Sequence, residues 1–161
     1  MATIGLFTGS FDPITIGHLD LIRRASRLFD QLIVGIFYNQ QKAGFFTIEQ
    51  REQMIREALE DFPGIKVISS TGELAVDVAR REGATHLVRG LRSAVDLEYE
   101  ANLEYFNKQL ASELETVYLL ATHAYQPISS SRVRELIYFG ADINGFVPQS
   151  VIKEVEKARE A

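Results

Sequence analysis

Residues 4–38 read IGLFTGSFDPITIGHLDLIRRASRLFDQLIVGIFY, and this stretch decides the fold. It opens with a short apolar run, residues 4–8, closed by Gly9. Residues 19–29 carry apolar side chains at helical spacing: Leu19, Ile22 and Phe29, with Leu21 and Leu28 beside them. Residues 32–38 form a second continuous apolar run. Short unbroken apolar runs suit strands buried on both faces, and the 3.6-residue period between them marks a helix. Strand, helix, strand in that order is a parallel crossover unit.

The alternation continues along the chain. Thr47 and Gln50 form a capping box, opening a helix over residues 48–61 that Phe62-Pro63-Gly64 breaks. Strands are expected at 65–69, 86–89 and 116–121, and helices at 74–82 (closed by Gly83), 95–110, 130–138 and 148–159. In the helix over 95–110, Tyr99, Leu103, Phe106 and Leu110 make one apolar stripe. No linker, low-complexity tract or solenoid repeat interrupts the 161 residues, so residues 1–161 read as a single domain. The pattern predicts an α/β fold: a Rossmann-like, doubly wound, parallel five-stranded sheet with helices on both faces.

Composition narrows the chemistry. Lys plus Arg is 17 and Asp plus Glu is 22, giving a net charge of −5, which argues against a nucleic-acid or anionic-membrane binder. There is no Cys, hence no disulfide, zinc finger or thiol nucleophile. No apolar run reaches the roughly 18–20 residues of a membrane span. The first residues lack the basic segment of a secretory signal.

In a sheet of this kind ligands sit at the carboxyl ends of the strands, which places the chemistry after Thr8, Tyr38, Ser69, Arg89 and Ala121. After the first come Gly9, the Ser10 hydroxyl, and Gly17-His18 opening a helix, where N–H groups and an imidazole can meet a phosphate. After the second comes Lys42, the sole cation between Arg27 and Arg51. Ser69–Leu74 is a polar bend. After the fourth, Arg89 and Arg92 flank Gly90-Leu91 and suit bidentate phosphate recognition; Asp96, Glu98, Glu100 and Glu104 follow closely enough to orient them. After the last, Ser129 or Ser130 caps a helix beside Ser131, with Arg134 one turn further in. Neither standard Gly-rich nucleotide loop is present, and no triad order or thiol emerges. Cations gathered on one edge of an acidic chain favour phosphoryl or nucleotidyl transfer over covalent catalysis.

The set G-S-F-D-P-I-T-x-G-H (Gly9 to His18), N-x-x-K with F-x-x-x-x-R (Asn39, Lys42, Phe46, Arg51), R-G-L-R with D-x-E-Y-E (Arg89 to Glu100) and I-S-S-S-x-V-R (Ile128 to Arg134) resembles the bacterial phosphopantetheine adenylyltransferases along essentially the whole chain. The resemblance implies transfer of adenylate from ATP to 4′-phosphopantetheine, giving dephospho-coenzyme A and pyrophosphate with Mg²⁺. It implies His18, Lys42 and Arg92 as catalytic residues. ATP contacts fall on Ser10, Phe11, His18, Gly90, Leu91, Arg92, Glu100, Tyr125, Gln126, Pro127, Ile128, Ser129, Ser130 and Ser131. Phosphopantetheine contacts fall on Ser10, Lys42, Leu74, Ala75 and Arg89. No metal-ligating residue is assigned. A cytoplasmic homo-oligomer, a hexamer, and feedback inhibition by coenzyme A are further implications. Ile16 stands where the family often has Asn, and Gln50 where it often has Glu, on a helix expected to be structural. The rivals are a related nucleotidylyltransferase acting on nicotinamide mononucleotide or glycerol 3-phosphate, which lacks the arginine block at this spacing, and a noncatalytic nucleotide-binding module.

Overall fold

A computed structural model describes residues 1–161. Five parallel strands, β1 (Ile4–Gly9), β2 (Gln31–Tyr38), β3 (Ile65–Thr71), β4 (His86–Leu91) and β5 (Glu115–Leu120), stand in the order β3-β2-β1-β4-β5. The helices are α1 (Ile16–Ser26), α2 (Ile48–Ala58), α3 (Ala75–Glu82), α4 (Ala94–Leu110), α5 (Ser130–Tyr138) and α6 (Gln149–Glu160). The strand order reverses direction at β1, whose neighbours are β2 and β4, so a crevice opens beyond the carboxyl ends of β1 and β4.

Alternate side chains along the strands point to opposite faces. Phe7, Val34, Ile36, Val67 and Val88 join the larger core under α1, α2, α5 and α6, while Leu6, Ile33 and Leu87 join a smaller core with Val76, Val78 and Ala79 of α3. Helices therefore cover both faces, as the strand–helix alternation predicts. The capping box at Thr47 and Gln50 is present.

Several boundaries differ from the sequence reading, among them the end of β3, which runs through Ser69 and Ser70 to Thr71, so that the polar bend expected at Ser69–Leu74 starts only after Thr71. Helix α1 starts at Ile16 and ends at Ser26, leaving Leu28 exposed while Phe29 packs on the core from the following turn. Helix α2 stops at Ala58. Strand β4 runs on to Leu91, so Gly90 and Leu91 belong to the strand; a methyl group on Gly90 would collide with Leu21 of α1. A short 3₁₀ turn, His123–Tyr125, precedes α5. The apolar stripe of α4 turns outward: Val95, Tyr99, Leu103, Phe106 and Leu110 are all exposed, and Glu100 is the helix's one buried residue.

Candidate active site

Three lobes of one cleft meet at Ser10, the exposed residue that follows β1. One, about 250 Å³, lies under Thr15, His18, Arg92, Tyr125, Ile128 and Ser129–Ser131. A second, about 240 Å³, runs past Phe11, Arg89 and Gly90 and shares His18 and Arg92 with the first. The third, about 680 Å³, lies along Tyr38–Gln40, Lys42 and Arg134. Ser10 lines all three, and Arg134 lines the first and third. The histidine, the loop lysine and the arginines thus border adjoining lobes that share Ser10.

His18 is set by the start of α1. Thr15 caps the helix, its side chain accepting from the His18 N–H at 3.3 Å, while the Thr15 N–H donates to His18 Nδ1 at 3.0 Å. A backbone N–H can only donate, so Nδ1 is the acceptor and the neutral ring carries its proton on Nε2. Nε2 has no partner within the protein. Burial, then the Arg92 guanidinium, then that of Arg89, lower the His18 pKa from 6.5 to about 4. At neutral pH His18 is an uncharged N–H donor. The ring of Phe11 meets it edge-on, with centroids 5.1 Å apart. Phe11 itself has φ 46°, a left-handed conformation unusual for a bulky residue, and is held there with its side chain buried.

The arginines differ in freedom. Arg89 donates Nε and Nη2 to Glu100 and Nη1 to the carbonyl and hydroxyl of Thr8, so a single N–H of its five is left over. Glu100 is buried and faces Arg89; it lines none of the lobes. Arg92 is 45 % exposed and held mainly by Asp96, 3.6 Å from its Nε, so its guanidinium can move to a ligand. Lys42 is exposed, and no carboxylate lies within ion-pair distance of it.

The serine motif is more occupied than its composition suggests. Ser129 caps α5 by accepting from the Arg132 N–H, Ser130 donates to the Pro13 carbonyl, and Ser131 accepts from Arg134. What faces the lobe is the first turn of α5, where the N–H groups of Ser130 and Ser131 are left without an acceptor and attract anions. Tyr125 and Ile128 line the same lobe, whereas Gln126, Pro127 and Leu91 line none of the three. Leu74 and Ala75 lie at the start of α3, also outside these lobes. Arg134, which the sequence reading placed one turn into the serine-capped helix of its anion site, is a lining residue in two lobes.

Residues 6–136 match the model of the cytidylyltransferase-like family. A protein of Streptococcus gordonii named phosphopantetheine adenylyltransferase is 64% identical over 96% of this chain and 94% of its own length. Its namesake in Streptococcus sanguinis is 63% identical at the same coverage. The one in Streptococcus agalactiae serotype III (strain NEM316) is 56% identical over 99% of both chains.

Proposed function

The chain belongs to the phosphopantetheine adenylyltransferases, within the cytidylyltransferase-like family, and on that premise we propose that the cleft around Ser10 is where ATP and 4′-phosphopantetheine are joined. The reaction gives dephospho-coenzyme A and pyrophosphate. A phosphate oxygen of phosphopantetheine attacks the α-phosphorus of ATP, the bond to the β-phosphate oxygen breaks, and pyrophosphate leaves. No enzyme-linked intermediate is needed, and catalysis consists of placing two polyanions and screening their repulsion.

The observation that carries this reading is the convergence of the lobes on Ser10. ATP occupies the lobes bordered by His18, Arg92 and the first turn of α5, with Tyr125 and Ile128 towards the adenine. The acceptor phosphate enters from the lobe of Lys42, with Arg89 beside it. His18, neutral and carrying its proton on Nε2, donates to an α-phosphate oxygen as charge builds there. A neutral donor suits this task because it gives a hydrogen bond without holding the ground-state triphosphate too tightly. Arg92 follows the triphosphate as it moves.

Mg²⁺ belongs to this reading as the companion of the triphosphate. Phosphate oxygens and water would supply most of its ligands, as is usual for this ion. When bound, the ion would neutralise phosphate charge.

The outward stripe of α4 supports self-association, and a hexamer is the state proposed. Val95, Tyr99, Leu103 and Phe106 line a shallow concavity of about 560 Å³. Coenzyme A carries the pantetheine and adenylate parts of both substrates and is proposed to compete at the same cleft. No helix is long and apolar enough to cross a membrane. A cytoplasmic location is proposed on the basis of the substrates.

The decisive assay follows pyrophosphate release from ATP with phosphopantetheine, nicotinamide mononucleotide or glycerol 3-phosphate as acceptor. Release with phosphopantetheine alone is expected. Preference for another acceptor would overturn the reading, and no release with any would favour a noncatalytic module.

A further inference from the structure

We infer that the buried Asp12–Arg51 pair is a positioning pair that sets the Lys42 loop against Ser10 and so governs use of the acceptor phosphate; the inference rests on the acceptor role proposed for Lys42. The pair lies between the segment after β1 and the loop of residues 39–47 that joins β2 to α2. Both side chains are nearly sealed from water, at 7% exposed for Arg51 and 10% for Asp12, with 3.4 Å between Nε and Oδ1.

Every bond the two side chains make joins these segments or anchors one of them. The Asp12 carboxylate accepts the N–H groups of Phe45 and Phe46, each at 2.8 Å. Arg51 donates Nε to the Phe46 carbonyl at 3.0 Å and Nη1 to the Ser10 carbonyl at 3.2 Å. From the other side, Arg134 donates to the Asp12 carbonyl at 2.8 Å. Gly44 leaves room for the guanidinium, since a Cβ there would overlap Arg51 Nη2. Lys42 has no side-chain tie of its own, so the place of its ammonium group depends on where this frame holds residues 39–47. A purely stabilising ion pair has no need to terminate on the carbonyl of the residue shared by all three lobes.

Removing either charge strands its partner in a dry site, so stability alone does not separate the two roles. The test compares Arg51→Gln and Gly44→Ala with Lys42→Ala and wild type. Gly44→Ala displaces the guanidinium without removing a charge and keeps the test open should Arg51→Gln fail to fold. The readouts are KM for phosphopantetheine, KM for ATP, and calorimetric binding of each to the intact enzyme. A misplacement of the order of an ångström is expected to raise the phosphopantetheine constants by about 10–100-fold while those for ATP stay within about twofold. Equal losses for both substrates, or a lowered Tm with unchanged constants, would overturn the inference while leaving Lys42→Ala to uphold its assigned role. A Lys42→Ala enzyme with normal phosphopantetheine constants would overturn that role and the inference with it.

Discussion

Glu100 holds the guanidinium of Arg89 with both carboxylate oxygens, at 3.0 and 3.1 Å from Nε and 2.7 Å from Nη2. A residue from the second turn of α4 thereby fixes a cation at the end of β4, and Thr8 of β1 closes the other side. The result is a rigid arginine beside a mobile one, Arg92, on the same rim.

Glu100→Gln keeps the volume and removes the charge. Losing one side of a charged, mostly buried hydrogen-bonded pair should cost about 1–3 kcal/mol, seen as a lower Tm by calorimetry. Phosphopantetheine binding should weaken as Arg89 loses its fixed orientation. A wild-type Tm and wild-type binding would show that the pair contributes nothing.

His18→Ala should fold normally and lose turnover by about 10²–10³, the usual effect of removing one transition-state donor. Steady-state kinetics on the purified variant check this, with KM for ATP changing far less than kcat. Near-normal turnover would remove His18 from the chemistry.

The ligand-free protein should show the His18 ring titrating near 4, with the proton on Nε2 at pH 7, by nitrogen-edited NMR. The unfolded chain takes up this proton near 6.5 and the folded chain only near 4, so stability from neutral His18 is complete above pH 6.5 and is lost as pH falls from 6.5 to about 4. Denaturant titrations across that window should show a shallower decline for His18→Gln than for wild type. Identical slopes would contradict the assignment.

Lys42→Ala should raise KM for phosphopantetheine by about tenfold or more and leave ATP binding nearly unchanged, as expected when one charge-assisted contact to one substrate is deleted. Binding calorimetry with each substrate separately distinguishes this from a general loss.

Tyr99→Glu with Phe106→Glu places charges on the outward stripe of α4. Sedimentation velocity should show the proposed hexamer of the wild type giving way to smaller species in the variant, with secondary structure intact by circular dichroism. An unchanged sedimentation coefficient would mean that this face does not carry the contacts.

Much of the fold was legible because its signals are local. Continuous apolar runs marked β1 and β2, shorter apolar stretches bounded by turn signals marked the other three strands, and the capping box at Thr47 marked the start of α2. The expectation that acidic residues after Arg92 orient the arginines also holds, through Asp96 and Glu100. What the sequence hid was tertiary. The period of Tyr99, Leu103 and Phe106 gives a stripe but not its direction; it is the burial of Glu100 against Arg89 of β4 that leaves the stripe facing outward. The Asp12–Arg51 pair spans residues with no spacing relation, and the three serines could be counted but not assigned their separate partners. Arg134 stood in a motif, yet its place between two lobes follows from α5 docking on Pro13 and Asp12.

The bond from the Thr15 amide to His18 Nδ1 both ends the exposed N–H row of α1 and selects the tautomer of the ring. Loosening of that first turn would therefore free the imidazole to flip, and the N–H proposed to meet the α-phosphate would be lost while the remaining turns stay wound. Amide hydrogen–deuterium exchange at Thr15 becomes a gauge of how often the His18 ring is set in this tautomer, and, on the role proposed for His18, mutations that fray this helix end should silence the enzyme well before they melt it.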